Sequence, residues 1–354
     1  MGIIKTTTQR WSNICIYVPV LSLCYLAALL IFSCYTSPFY PNYLGYDSAI
    51  FSLIGKGLAE GKYLYADLFD HKGPIIFLIT AFAHSLGGHN WILPLQGVFG
   101  VISLVFCFLT GMLLRPDKRF TSFWECFAIF FSVYAVFFFT FQRGNLTEEY
   151  SLPFISCSLY LFVRYAVCSD EKQDHSPFCA LLHGINLACL AFLRLNNAAT
   201  VGMGILAIAI YLLHRRRYVN LMWNLVSGFL GLAIVTVPIV CWFYEKGLLH
   251  DLLYATFLHN FHIAGNTGHM SFLQDPVKLF ALYLPVGICC SFSLASLRHG
   301  KAIRFIDILL LSILGINVAS LWIANRFPHY FTVFSPVYAA FLCRYLIFDK
   351  KRLK

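Results

Sequence analysis

Residues 75–114, IIFLITAFAHSLGGHNWILPLQGVFGVISLVFCFLTGMLL, contain no Asp, Glu, Lys or Arg. A helix needs about 20 apolar residues to cross the hydrocarbon of a bilayer. Gly87-Gly88 divides the stretch, so Pro74 to Leu86 reads as a short helix of its own and the remainder as a crossing. The two pieces together must cross an odd number of times for the topology below to hold. Similar charge-free runs cover residues 11–46, 195–214, 218–244, 279–297, 308–325 and 327–343. The whole chain of 354 residues is 59% hydrophobic and only 12% charged, with a mean hydropathy of +0.71. Ordinary soluble domains carry roughly 25% charged residues. The fold expected is therefore all-α: one polytopic membrane domain over residues 1–354, with about ten to twelve transmembrane helices and no separate soluble domain.

The net charge of +10 would suggest a nucleic-acid partner in a soluble protein. Here the basic residues sit in short loops between apolar runs, which makes them an orientation signal and excludes nucleic acid. The first helix is expected at about residues 14–34. Later spans are expected near 121–141, 150–165, 178–194, 198–213, 218–242, 277–296, 304–324 and 330–347. With the amino end inside, alternation puts eighteen of the 26 Lys and Arg on the cytoplasmic side, as the positive-inside rule requires. Lys5 and Arg10 before an apolar run resemble a signal peptide, but the run is long and lacks a small-residue cleavage site, so it reads as a retained helix. The thirteen cysteines lie mostly inside apolar runs without metal or redox spacing, and read as packing residues.

This topology makes residues 35–73 the first extracytoplasmic loop and gathers the polar residues on the outer face. Asp47 begins a short amphipathic helix ending near Gly61. It can serve as a general base toward an acceptor hydroxyl, or cap the helix, and the two roles are compatible. Asp70-His71-Lys72-Gly73-Pro74 puts an acid, an imidazole and an ammonium before the next helix. Lys72 can hold a lipid phosphate, with Asp70 and His71 binding a divalent metal or orienting it; alternatively the group is a charged collar with Lys72 snorkelling. In Arg143-Gly144-Asn145-Leu146-Thr147-Glu148-Glu149-Tyr150 either a carboxylate faces the site or the acids merely start a helix. Asn145-Leu146-Thr147 also matches a glycosylation sequon, a common pattern of little weight. Arg194, and Arg326 with His329 and Tyr330, fall between apolar runs, where charge is costly unless paired or functional. His259, His262 and His269 supply imidazoles for a metal.

Over roughly residues 10–265 this pattern resembles the polytopic GT-C glycosyltransferases, in particular the lipid A aminoarabinose transferase and protein O-mannosyltransferases. The most specific part is the first outer loop: an acid after helix one, a small helix ending at Gly61, then an aromatic, an acid, Lys and Pro. The resemblance implies that Asp47 is the catalytic base, with Glu148 a second catalytic acid and Glu149 its alternative. By the same resemblance Lys72 and Arg194 would bind the donor phosphate; Arg326, beyond the matched stretch, is a further candidate for that phosphate by its place between apolar runs, with interfacial anchoring the alternative for both arginines. Asp70 and His259 would be ligands of a divalent metal ion, with His262 the alternative to His259; no nucleotide cofactor is implied. The implied activity is transfer of a sugar from a polyprenyl-phosphate carrier to a glycolipid, polysaccharide or other envelope acceptor. Its place would be the extracytoplasmic face of the plasma (inner) membrane. The sequence departs from the family at Ser48, where many relatives have a second acid, and at Asp70, which is Glu in the aminoarabinose enzymes. His71 and Gly73 are additions, and the further helices and soluble domain of longer members have no counterpart here. A transporter or flippase of lipid-linked sugars would need similar phosphate-binding arginines and is the competing expectation.

Overall fold

The computed structural model describes residues 2–40, 45–114, 143–169, 174–260, 304–323 and 328–345. Arg326, His262, His269 and the spans expected at 121–141 and 277–296 lie outside the described residues. Among those described there is no strand, only an isolated bridge between Leu64 and Leu68.

Helix α1 (Gly2–Phe32) is followed by α2 (Tyr46–Ala59) and α3 (Pro74–Leu86). A 3-10 turn, His89–Trp91, leads into α4 (Ile92–Leu114). Then come α5 (Thr147–Cys168), α6 (Pro177–Leu193), α7 (Ala199–His214) and α8 (Tyr218–Glu245). The short α9 (Leu249–Leu253) precedes α10 (Phe305–Ile323) and α11 (Ser335–Tyr345). Pro74 opens α3, where its missing N–H costs nothing, and Gly87, at φ +147°, closes it. At 1.5 Å per residue α3 is about 20 Å long, short of the roughly 30 Å hydrocarbon core. The single full-length helix of residues 75–114 is therefore α4.

Among the described residues four helical segments are long and apolar enough to cross a membrane: His89–Leu114, Thr147–Cys168, Leu195–His214 and Tyr218–Glu245. The last presents an apolar outer face, with Val219 74%, Phe229 67% and Val237 53% exposed. Such a face suits hydrocarbon rather than water. Helices α4 and α5 run parallel, and from α5 to α7 the direction alternates, so the bundle has two distinct ends. At one, Gln96 near the start of α4 reaches Glu149 near the start of α5, and Arg194 after α6 reaches Glu148. At the other, Tyr165 late in α5 meets Tyr211 late in α7 and Phe305 at the start of α10, and Arg344 pairs with Asp307 at 3.1 Å.

The largest cluster of buried apolar residues joins α1, α4, α5, α6, α7, α10 and α11. A second lies under the 45–73 segment and includes Phe51, Tyr65, Phe77, Tyr150, Leu193 and Phe243. Between α6 and α8 the backbones themselves touch. A Cβ on Gly184 would meet the Gly228 carbonyl, and one on Gly231 would meet the Leu181 carbonyl. Small residues at such crossings replace the hydrophobic drive that is missing between helices in lipid.

Gly184→Val should thus force α6 from α8 and lower the thermal midpoint in detergent sharply. Gly202→Val on α7, where an added Cβ meets nothing within 4 Å, should leave that midpoint nearly unchanged.

Candidate functional site

The site end is built on the turn that starts α5. Arg143, Gly144 and Asn145 all have positive φ, a conformation open to glycine and tolerated by asparagine. The turn buries Asn145 completely. Its Nδ2 donates to Ser48 Oγ at 2.8 Å, and its Oδ1 accepts from Tyr150 O–H at 2.8 Å. Asn145 thereby fixes the start of α2 against the start of α5, and its amide is not available to a glycan in the folded chain. The N-cap of α2 is Gly45, without a side-chain capping bond, while Asp47 lies in the helix's first turn. Asp47 is therefore not the cap.

Glu148 and Glu149, adjacent in sequence, face different partners. Glu148 is 1% exposed; its Oε1 accepts from Arg194 Nη1 at 2.8 Å and its Oε2 from Thr147 O–H at 3.0 Å. The Arg194 guanidinium lies 3.9 Å from the centre of the Tyr330 ring, and His329 packs edge-on to that ring at 4.5 Å. Burial holds the His329 imidazole below its ordinary pKa, against the pull of Glu148 and Asp47; Arg194 and Lys72 add to the lowering. Asp47, Lys72, Glu148 and Arg194 thus all lie within electrostatic range of His329, and all but Lys72 lie within range of Tyr330. The space beside Arg194, between Asn197, Ser320 and Tyr330, is only ≈ 10 Å³, near the least volume that admits a water.

Glu149 is tied to uncharged groups. Its Oε2 accepts from Gln96 Nε2 at 2.7 Å, and Gln96 Oε1 accepts from Thr36 O–H at 2.6 Å. Ser33 Oγ lies 2.7 Å from Thr36 Oγ1. This polar track joins the ends of α1, α4 and α5.

Lys72 and Asp70 are both buried. Lys72 Nζ stands 3.6 Å from Asp70 Oδ1, which also accepts the Lys72 amide at 2.9 Å. The Lys72 ammonium lies 5.4 Å from the Phe51 ring centre, and Tyr65 O–H donates to the Lys72 carbonyl at 2.7 Å. Gly73 lets this segment pass against the end of α6, since a Cβ there would strike the Phe192 carbonyl. Asp67 turns the preceding loop by accepting the Tyr63 amide at 2.7 Å. His71 approaches Asp70 Oδ1 at 3.7 Å and the His259 ring at 5.8 Å between centres. Burial, reinforced by Lys72, pushes the His71 pKa down to about 4, so it is neutral at physiological pH.

The residues present fit a divalent metal poorly. Among the described residues no three His, Cys, Asp or Glu side chains are grouped to hold one. The Asp70 oxygen nearest His71 already faces the Lys72 ammonium, and like charges would crowd there.

Removing Glu148 would leave a buried guanidinium without its counter-ion. Glu148→Ala should cost about 3–5 kcal/mol of stability in a denaturant titration of the detergent-solubilised protein. Glu148→Gln, which keeps an acceptor for Arg194, should cost less, and the double variant Glu148→Leu, Arg194→Leu less than Glu148→Ala.

No curated protein matches the sequence, and no solved structure matches the fold. The family model described as "Putative competence-induced protein Ccs4 N-terminal domain" matches residues 11–352. Since that match covers the site end, the bundle and its opposite end alike, the chain belongs to this competence-induced Ccs4 N-terminal domain family.

Proposed function

We propose that the chain is a membrane glycosyltransferase of GT-C type, with about ten to twelve transmembrane helices in all. It would move a sugar from a polyprenyl-phosphate carrier to a glycolipid, polysaccharide or other envelope acceptor at the extracytoplasmic face of the plasma membrane. The observation that carries this reading is the convergence of Asp47, Lys72, Glu148 and Arg194 at one end of the bundle, from segments far apart in sequence. Burying several ionisable groups together is costly, and such groups at a membrane surface commonly serve a ligand. The family's description names competence induction and no reaction.

In the proposed reaction Asp47 takes the proton of the acceptor hydroxyl, whose oxygen forms a bond to the anomeric carbon of the donor sugar. The bond from that carbon to the phosphate oxygen breaks, and the carrier phosphate leaves with the electron pair, inverting the anomeric centre. Lys72 and Arg194 stabilise the negative charge that appears on the phosphate, with Arg326 a third candidate for that role. Glu148 has both carboxylate oxygens engaged, so its part is to orient Arg194 rather than to exchange protons. Neutral His71 adds no charge to the phosphate site. The ≈ 10 Å³ space beside Arg194 means that donor binding entails opening around Tyr330. The Lys72 ammonium stands beside Asp70, where a divalent cation would otherwise bind.

The competing reading is a transporter of lipid-linked sugars. Transporters place their sites near the bilayer midplane at broken helices; the ionised cluster here lies at a bundle end instead.

Turnover of a radiolabelled polyprenyl-phosphate sugar by protein in lipid, with envelope extract as acceptor, decides between them. Asp47→Asn should lower transfer about 10²–10⁴-fold, the usual contribution of a general base, while the protein stays folded. Near-normal transfer by that variant would remove Asp47 as the base. Movement of donor between leaflets without transfer would make the transporter reading the correct one. For the orientation, Lys62→Cys should react with a membrane-impermeant maleimide in intact cells and Arg216→Cys only after lysis; the reverse pattern would put the site on the cytoplasmic side.

A further inference from the structure

The turn between α7 and α8, His214-Arg215-Arg216-Arg217, lies at the end of the bundle away from the ionised cluster. Two backbone bonds close α7 here. The Arg217 amide donates to the Leu212 carbonyl at 2.9 Å, and the Arg216 amide to the Leu213 carbonyl at 3.0 Å. In a helix end of this pattern the residue in the place of Arg216 is usually glycine. Arg216 adopts the left-handed φ of +57° that the place requires, which crowds a Cβ against the following carbonyl. Backbone amides already satisfy the last carbonyls, so no guanidinium is needed to cap them. The chain thus presents an exposed arginine where glycine would close the turn with less strain.

The charges at this end do not cancel. Among the described residues its acids are Asp174 and Asp307, and both are taken. Asp174 accepts two bonds of 2.6 Å from Arg217, and Asp307 pairs with Arg344 at 3.1 Å. Arg215, Arg216 and Arg304 are exposed, and none pairs with a carboxylate among the described residues. Arg215 engages only its Nε, which donates to the Tyr211 hydroxyl at 3.2 Å, with its guanidinium carbon 5.3 Å from that ring's centre. Phe305 stacks on the same ring, centres 4.0 Å apart, and so brings the start of α10, with Arg304, to this turn.

Both helices that flank the turn expose apolar side chains beside it. Leu213 in the last turn of α7 is 47% exposed, and Val219 and Met222 at the start of α8 are 74% and 58% exposed. Tyr218 and Trp223 are exposed as well, the residue types that settle between headgroups and acyl chains. Unneutralised guanidiniums next to a lipid-facing apolar surface suit a molecule that is anionic at one end and hydrocarbon at the other.

We propose that this turn binds an anionic phospholipid of the surrounding bilayer. The lipid phosphate accepts N–H groups of Arg215 and Arg216, Arg304 supplies a third positive charge, and the acyl chains lie along Leu213, Val219 and Met222. A guanidinium offers paired donors that match two phosphate oxygens, and basic clusters at a membrane surface attract anionic lipid. A zwitterionic lipid brings a cation of its own among the arginines. The site is independent of the sugar-transfer reading.

The test is native mass spectrometry of the full chain in a non-ionic detergent, titrated with short-chain phosphatidylglycerol, phosphatidylcholine or glycerol 3-phosphate. Phosphatidylglycerol should bind saturably and at least about tenfold more tightly than phosphatidylcholine, and glycerol 3-phosphate at equal concentration should not displace it. Arg216→Gly should weaken phosphatidylglycerol binding about fivefold while leaving the thermal midpoint unchanged or raised, since glycine suits that turn. A residue serving only the fold would move the midpoint the other way. Arg304→Gln, outside the turn's backbone, should repeat the loss, and Lys62→Gln at the opposite end should leave binding unchanged. Equal binding of the two lipids overturns charge recognition. Displacement by glycerol 3-phosphate overturns the lipid in favour of a soluble phosphate. Undiminished phosphatidylglycerol binding by the double variant Arg215→Gln, Arg216→Gly overturns the turn as the site.

Discussion

The Glu148–Arg194 pair is the constraint on which the rest of the site end depends. Neither ion can be left alone at that depth, so the start of α5 and the turn after α6 must stay together. Arg194 is also the residue on which Tyr330 stacks, and through it the segment Pro328–Phe334 is drawn to the same place. Asn145, one turn earlier, holds α2 by Ser48, and with it Asp47. One desolvated ion pair, worth little by itself in net stability, thus sets the register of four segments whose apolar surfaces would tolerate several.

Two kinds of polar burial stand side by side here. Glu148 is buried as an ion with its counter-ion, whereas Glu149 is met by the carboxamide of Gln96, which is bonded in turn to Thr36 and through it to Ser33. The first arrangement exposes charge to whatever enters beside Arg194. The second is a neutral ladder that fastens α1 and α4 to α5. Successive residues can take such different tasks because one step around a helix is about 100°, enough to face a different neighbour.

Much of the framework was legible in the sequence. Pro74 and the Gly87-Gly88 pair marked α3, Gly61 marked the end of α2, and the charge-free runs gave α6, α7 and α8 to within a few residues. The interruption of apolar runs by Lys72, Glu148 and Arg194 singled out residues that do converge. What stayed hidden were uncharged polar residues inside apolar runs. Gln96 and Asn145 look like incidental polarity to any reading that counts charge, and only their partners reveal their work. The choice between Glu148 and Glu149 was equally illegible, because it depends on the rotation of α5 about its axis. The contact of Lys72 with Asp70 was equally hidden, a short-range ionic contact that spacing alone does not encode.

The shortness of α3 reaches beyond the protein itself. An apolar helix of about 20 Å beside full-length neighbours is mismatched to a bilayer of ordinary thickness, and lipid relieves such mismatch by thinning locally. Where the membrane dips, headgroups sit deeper and acyl chains splay. On the proposed reading, an amphiphile arriving at that flank would meet Asp47, Lys72 and Arg194 with less of its head to drag through oil, and a deficit of about two helical turns would become a doorway.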